Sequence, residues 1–157
     1  MKLISFAVPC YNSQAYMEKC INSLLATGDD DIEIIIVDDG STDKTAEIAD
    51  RYELKYPGIV RAVHQTNGGH GKGVNTGLEH ASGEFFKVID SDDWVDRKAL
   101  ESVLTALRMF ISSDIPLDML ITNYVYEHVQ DGKRHTISYS GIFPENLACG
   151  GGPHPGP

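Results

Sequence analysis

The stretch I-E-I-I-I-V-D-D-G-S-T-D, residues 32–43, decides the fold. Apart from Glu33, its first six residues are β-branched and uncharged, the composition of a strand buried on both faces of a parallel sheet. Asp38 and Asp39 mark the strand end. A helix follows over about 44–54, with Ile48, Ala49 and Tyr52 on one face and Pro57-Gly58 beyond its end. The same alternation repeats on both sides of this segment. Residues 3–8 form an apolar strand closed by Pro9. Over 13–27, Tyr16, Met17, Cys20, Ile21, Leu24 and Leu25 recur at helical spacing until Gly28. Residues 59–63 read as a third strand. Over 72–81 a helix presents Val74, Leu78 and Ala81, and Ser82-Gly83 ends it. Residues 84–89 read as strand four. The helix over 96–110 buries Leu100, Val103, Leu104 and Leu107.

Regular β-α alternation with short links predicts a three-layer α/β/α fold: a mostly parallel central sheet, right-handed crossovers and helices on both faces. The pattern changes after Pro116. Residues 118–122 read as a further strand, and 124–129 and 134–139 flank Asp131-Gly132 as a C-terminal β-hairpin. The Gly/Pro-rich run 149–157 cannot pack, so a domain over 1–148 with a flexible tail over 149–157 is expected.

At 157 residues the chain is one domain with room for a core, and 41% apolar with 23% charged residues is ordinary for a globular protein. The net charge of −10 argues against nucleic acid or an anionic membrane as the main partner, since both attract basic patches. A nucleotide stays open, because a metal can neutralise its phosphates locally. The apolar start over 1–8 is too short for a signal peptide, and no window reaches the ~18 apolar residues of a membrane helix. Cys10, Cys20 and Cys149 have no metal-ligand spacing and read as reduced thiols. A cytoplasmic protein, free or peripheral at the inner face of the membrane, is the expectation.

Strand ends carry the chemistry. The run E-F-F-K-V-I-D-S-D-D-W (84–94) places Asp90, Asp92 and Asp93 directly after strand four. Packed carboxylates repel unless a cation neutralises them, and Mg²⁺ or Mn²⁺ takes oxygen ligands from one or two carboxylates plus substrate phosphates. A polar turn with one Asp capping the next helix is the competing reading. After strand one, Tyr11 is placed to stack on a base, and Asn12 or Ser13 to cap the helix. After strand two, Ser41 or Asp43 suffices as a cap, which leaves the pair Asp38-Asp39 to accept bonds from a base or a ribose. The loop N-G-G-H-G-K-G (67–73) lets backbone N–H groups approach phosphates, with Lys72 adding charge. It is neither a Walker A motif nor a dinucleotide fingerprint, because Gly73 follows Lys72 and the glycines are misspaced. His64 reads as structural and His70 as a residue able to touch a ligand. Trp94 reads as packing beneath the acidic turn, with a place in a sugar pocket as the alternative.

Four segments in register, V-P-C-Y-N-S (8–13), I-I-I-V-D-D-G-S-T-D (34–43), N-G-G-H-G-K-G-V-N-T-G (67–77) and S-G-E-F-F-K-V-I-D-S-D-D-W (82–94), resemble the N-terminal half of a family 2 glycosyltransferase with the GT-A, Rossmann-like fold. The resemblance covers roughly residues 1 to 110. It implies inverting transfer of a sugar from a nucleoside diphosphate sugar, usually UDP-linked, to an acceptor hydroxyl. Tyr11 matches the position beside the uracil, with Pro9 shaping that turn. Asp39 matches the carboxylate that holds the base, and Asp38 lies beside it. Lys72 falls near a basic residue that reaches the nucleotide. Asp90, Asp92 and Asp93 fall on the metal motif, with Asp92 as a direct ligand of Mn²⁺ or Mg²⁺ and Asp90 facing the ribose or a metal-bound water, and Ser91 between them falls among the nucleotide-binding residues.

No general base is identifiable: Glu127 and Glu145 are the glutamates after the fourth helix, and neither lies in a family motif. The resemblance therefore implies a donor-binding part, with an acceptor such as a glycan or lipid-linked glycan read elsewhere. An incomplete domain would expose apolar surface able to drive homo-oligomerisation. Two alternatives are a non-catalytic nucleotide-sugar-binding module and a nucleotidyltransferase. The second lacks its Gly/Lys-rich loop after strand one. A phospho-acceptor signalling domain lacks the acids it needs after strands one and three.

Overall fold

The computed structural model describes residues 2–113, 116–127 and 133–139. Two compact units divide the chain, Met1–Ile115 and Pro116–Pro157. The first holds β1 (Lys2–Cys10), α1 (Met17–Leu25), β2 (Ile32–Asp38), α2 (Thr45–Lys55), β3 (Val60–His64), α3 (His70–His80), β4 (Gly83–Val88) and α4 (Arg97–Ser112). The four strands are parallel in the order β3-β2-β1-β4. The chain thus steps outward from β1 to β3, then returns to the other side of β1 for β4. Right-handed crossovers place α1 and α2 on one face and α3 on the other. α4 returns beside α1. This is the expected α/β fold with a mostly parallel sheet.

The apolar run of β2 explains the core. Ile34, Ile35, Ile36 and Val37 are all fully buried, as are Ala7 and Val8 beside them. Each large side chain buried here contributes about 1.5–3 kcal/mol. An exposed ion pair such as Arg51–Glu18 contributes about 0–1 kcal/mol, so the central strands hold the fold. At the amino ends of the strands, Glu33 Oε1 accepts from the hydroxyls of Ser5 (2.5 Å) and Ser82 (2.9 Å) and from the Gly83 N–H (3.1 Å). That cluster ties the start of β4 to β1 and β2, far along the strands from their carboxyl ends.

The structure corrects several expectations. α3 faces the sheet with Gly73 and Gly77, while Leu78 is 55% exposed and Val74 and Ala81 are half-buried. A Cβ on Gly77 would stand 2.5 Å from that of Ala7, so the helix lies too close for a large side chain at that position. Tyr16 ends up 41% exposed at the start of α1 instead of in the core. Asn12 and Ser13 make no side-chain cap bond to α1 and Ser41 makes none to α2, whereas Asp43 does cap α2, its Oδ1 accepting from the Thr45 N–H at 2.9 Å. Asp96 does cap α4, accepting from the Ala99 N–H at 2.9 Å. Val103 is half-buried, beside the buried Leu100, Leu104 and Leu107.

In the second unit β5 (Tyr124–Glu127) pairs antiparallel with β6 (Arg134–Ile137), the expected hairpin. Residues 118–122 form no strand. Their alternation is short, and Met119 and Ile121 are exposed at 73% and 45%. Asp131-Gly132, Glu145, Cys149 and the run 149–157 lie outside the described residues.

Candidate functional site

Register puts Cys10, Asp38 and His64 level at the carboxyl ends of β1, β2 and β3, with β4 ending at Val88 next to Ala7. The strand order reverses between β1 and β4, and ligands of open α/β sheets bind outside the strand ends at such a switch point. The turn after β1 and the acidic turn after β4 therefore stand side by side at this switch point.

The turns after β1 and β2 are latched by reciprocal bonds. The Asn12 N–H donates to Ser41 Oγ (3.0 Å), and Asn12 Oδ1 accepts from the Thr42 N–H (2.9 Å). The Gln14 N–H donates to Asp43 Oδ2 (3.2 Å), and Gln14 Oε1 accepts from the Lys44 N–H (3.0 Å). These bonds take up the residues expected as caps. Asn12 adopts φ 51°, a region that Asn tolerates better than most residues. Tyr11, at 52% exposure, leaves its ring open to a ligand.

Asp38 and Asp39 are both buried, and their carboxylates diverge in use. Asp38 Oδ1 accepts from the Ser41 N–H (3.0 Å), and its Oδ2 lies 3.0 Å from His64 Nδ1. The other ring nitrogen of His64 lies 2.9 Å from Asp50 Oδ1. His64 is thus structural, a bridge from β3 to β2 and α2. Asp39 binds the glycine-rich loop: it accepts from Gln65 Nε2 (2.6 Å) and from the N–H groups of Gly68 (2.9 Å) and Gly69 (2.7 Å). Two of the N–H groups read as a phosphate cradle thus point to a carboxylate. Burial raises the Asp39 carboxyl, but these three bonds and the Lys72 charge outweigh it and hold it below its ordinary value. Gly40, at φ 72°, lets the loop approach, since a Cβ there would stand 2.8 Å from the Asn67 nitrogen.

Bonds to Asp38, then to Asp50, raise the His64 pKa above its ordinary value. The contribution of this bridge to stability is fully present below about pH 6.5, the unfolded value, and fades as pH rises through the raised folded value. His64→Gln should therefore cost more at pH 6 than at pH 9, by under about 1 kcal/mol because the pair is solvent-screened. Thermal melts at both pH values check this. An equal loss at both would sink it.

The acidic turn is held from below. Ser91, only 8% exposed, lies with its hydroxyl 2.9 Å from that of Ser13. The Val95 N–H donates to Ser23 Oγ on α1 (3.1 Å), and Lys19 Nζ sits 2.9 Å from the Trp94 ring centre. Trp94 is 38% exposed under that cation, not buried beneath the turn. Asp90, Asp92 and Asp93 are exposed. Burial, then the charges of Asp92 and Asp90, raise the Asp93 carboxyl. His70 Nε2, at the start of α3, lies 3.3 Å from Asp90 Oδ1. Lys72 is exposed and its Nζ donates to the Thr66 carbonyl (3.2 Å). Beneath the turns, burial pushes the free thiols of Cys10 and Cys20 up to about 12.

Among the described residues no group of three or more His, Cys, Asp or Glu side chains is arranged to hold a metal ion. Nor, among them, is any helix long and apolar enough to cross a membrane. Sequence reasoning missed Gln65, which donates to Asp39 and accepts from Thr76 Oγ1 (2.6 Å), although a polar residue at the end of β3 was visible. It also missed the Ser13–Ser91 and His70–Asp90 contacts, for which the sequence holds no signal.

A parallel β3-β2-β1-β4 sheet with an acidic turn at its switch point is the GT-A, Rossmann-like arrangement. The family model "Glycosyl transferase family 2" matches residues 5–109, and the chain belongs to that family. The glycosyltransferase GlyG of Streptococcus pneumoniae is 36% identical over 132 residues, covering 83% of this chain and 42% of GlyG. Among solved structures, TarS 1–349 of Staphylococcus aureus in complex with UDP superposes with a TM-score of 0.63 at 35% identity, covering 71% of this chain and 33% of that one. The mannosyltransferase PcManGT of Pyrobaculum calidifontis, in complex with GDP-Man and Mn²⁺, gives 0.59 at 25% identity, over 82% of this chain and 36% of the other. The chain thus spans less than half the length of these relatives.

Proposed function

We propose that this chain forms the donor site of a metal-dependent, inverting glycosyltransferase that takes a nucleoside diphosphate sugar, UDP-linked by preference. The observation that carries this reading is the convergence of the Tyr11 turn, Asp39 and the Asp90–Asp93 turn at the carboxyl end of the sheet. Similarity to a relative solved with UDP supports it. Tyr11, shaped by Pro9, stacks on the base. Asp39 receives the base N–H by exchanging one of its loop bonds. Asp38 supports this turn through Ser41 and His64. Lys72 and Asp90 face the nucleotide, Lys72 toward the diphosphate and Asp90 toward the ribose.

The donor set of the acidic turn fits a divalent ion. Its oxygens are hard, Asp92 and Asp93 are exposed, and the Asp93 carboxyl is raised by burial first and then by the charges of Asp92 and Asp90, which a cation would neutralise. Fewer than three protein ligands suffice where diphosphate oxygens complete the shell. Asp92 is the direct ligand, with Asp90 and Asp93 beside it. When bound, Mn²⁺ or Mg²⁺ stabilises charge on the departing diphosphate. The acceptor, a glycan or lipid-linked glycan, and its general base belong to the whole protein. Glu127, paired with Arg134 at 3.0 Å, has no position that marks it as that base.

Calorimetric titration of UDP with and without Mn²⁺ tests the reading. Wild type should bind in a metal-dependent way, and Asp92→Ala should weaken binding with Mn²⁺ at least about tenfold. Affinity indifferent to both metal and substitution would overturn it.

A further inference from the structure

Ser91 stands between two exposed carboxylates, yet its own side chain is buried against the opposite turn. Its hydroxyl and that of Ser13, at 8% and 1% residue exposure, form a 2.9 Å bridge between positions 78 apart in the chain. Ser13 is itself pinned on several sides. Its N–H donates to Thr45 Oγ1 (2.7 Å) at the start of α2, and its carbonyl accepts from the Tyr16 and Met17 N–H groups (3.1 and 3.0 Å). Its hydroxyl also accepts from the Tyr11 N–H (3.2 Å). The Tyr11 backbone, the Ser13 hydroxyl and the acidic turn therefore form one short hydrogen-bonded chain across the switch point.

We infer that the Ser13–Ser91 hydroxyl bridge is a positioning device that couples the nucleotide side of the donor site to its metal side. The inference rests on the proposed donor site and deepens it. A nucleoside diphosphate spans a set distance from base to phosphates, so the two turns must hold matching separation for one ligand to engage both. Two hydroxyls in a buried, low-dielectric setting hold that separation more firmly than exposed side chains can. Cys10 at the end of β1 also bonds Ser91, whereas the nearby His70–Asp90 contact joins two side chains that are each 56% exposed. Ser91 thus acts through Asp92 and Asp90 as a positioning residue, not as a nucleotide contact.

The test reads the ratio of UDP affinities with and without Mn²⁺, by calorimetry, for wild type, Ser91→Ala, Ser13→Ala, the double variant and the hydroxyl-retaining Ser91→Thr. Glu33→Ala serves as a control that loosens the opposite end of the sheet. Thermal melts select the temperature at which every variant is folded. If Ser13→Ala does not fold, the Ser91 pair alone carries the test. The ratio should fall about tenfold in each alanine variant, a size typical of coupling between sites. The double variant should fall no further than either single one, because both remove the same contact. Ser91→Thr and Glu33→Ala should keep the wild-type ratio, and UDP affinity without metal should barely change in Ser91→Ala. Folded alanine variants with the wild-type ratio, or losses that simply add, would overturn the coupling while leaving the donor site standing. A wild type without metal-dependent UDP binding would remove the donor-site reading, and this inference with it.

Discussion

Asp39→Ala is expected to lower the melting temperature and UDP affinity together. Three donors converge on this one carboxylate, from Gln65, Gly68 and Gly69. Bonds to a charged acceptor contribute more than neutral ones, and donors stripped of a partner cost up to about 3 kcal/mol where water cannot replace it. Gly68 and Gly69 are exposed and regain water, whereas Asp39 is buried. A net loss of about 2–3 kcal/mol follows, or about 4–12 °C for a domain near this size. Because the Asp39 carboxyl is held below its ordinary value, its contribution is complete above the unfolded value near 3.9. It is lost only as pH falls through the folded value, so melts at pH 7 show the whole effect. On the proposed donor site the same substitution removes the acceptor for the base N–H and frees the glycine-rich loop, so UDP affinity should fall at least about tenfold. A variant that melts like wild type and binds UDP equally well would contradict both roles.

Two glycines of the same helix should respond to alanine with opposite signs. At Gly77 the new methyl would stand 2.5 Å from the Ala7 Cβ and 3.8 Å from Val37 Cγ2. Carbon atoms pack at about 3.5–4.0 Å, so α3 must lift from the sheet. Overpacking of this kind costs about 1–3 kcal/mol, more than the ~1 kcal/mol that alanine gains over glycine in a helix interior. At Gly71 a Cβ meets nothing within 4 Å, and only the propensity gain remains. Gly71→Ala should raise the melting temperature and Gly77→Ala lower it, by a few degrees each. Since α3 begins with the residues that face Asp90, Gly77→Ala should also weaken UDP binding. A stabilised Gly77→Ala would mean that the helix does not lie this close to β1.

The strands and their order of use were legible because burial on both faces leaves a mark in composition that needs no partner to read. β2 is uncharged between Glu33 and its last residue, Asp38, and Asp39 follows directly. Likewise Asp90, Asp92 and Asp93 stand out in the sequence as three carboxylates within four positions directly after a strand. The buried side of α3 was not legible. Hydrophobic spacing pointed to Val74 and Leu78, but the helix packs through Gly73 and Gly77, where the absence of a side chain is what matters. Residues 118–122 misled in the opposite way, with an apolar pattern but exposed Met119 and Ile121.

From the sequence by itself follow the parallel α/β architecture, the family resemblance and the two acid-bearing strand ends, because each is written in neighbouring residues as period, composition or charge. Only the tertiary structure decides that Asp38 serves His64, that Asp39 holds the glycine-rich loop, and that Ser91 meets Ser13. Those pairings join residues 26, 29 and 78 positions apart. Contacts at such separation depend on sheet register and crossover hand, which place strand ends side by side whatever lies between them in the chain.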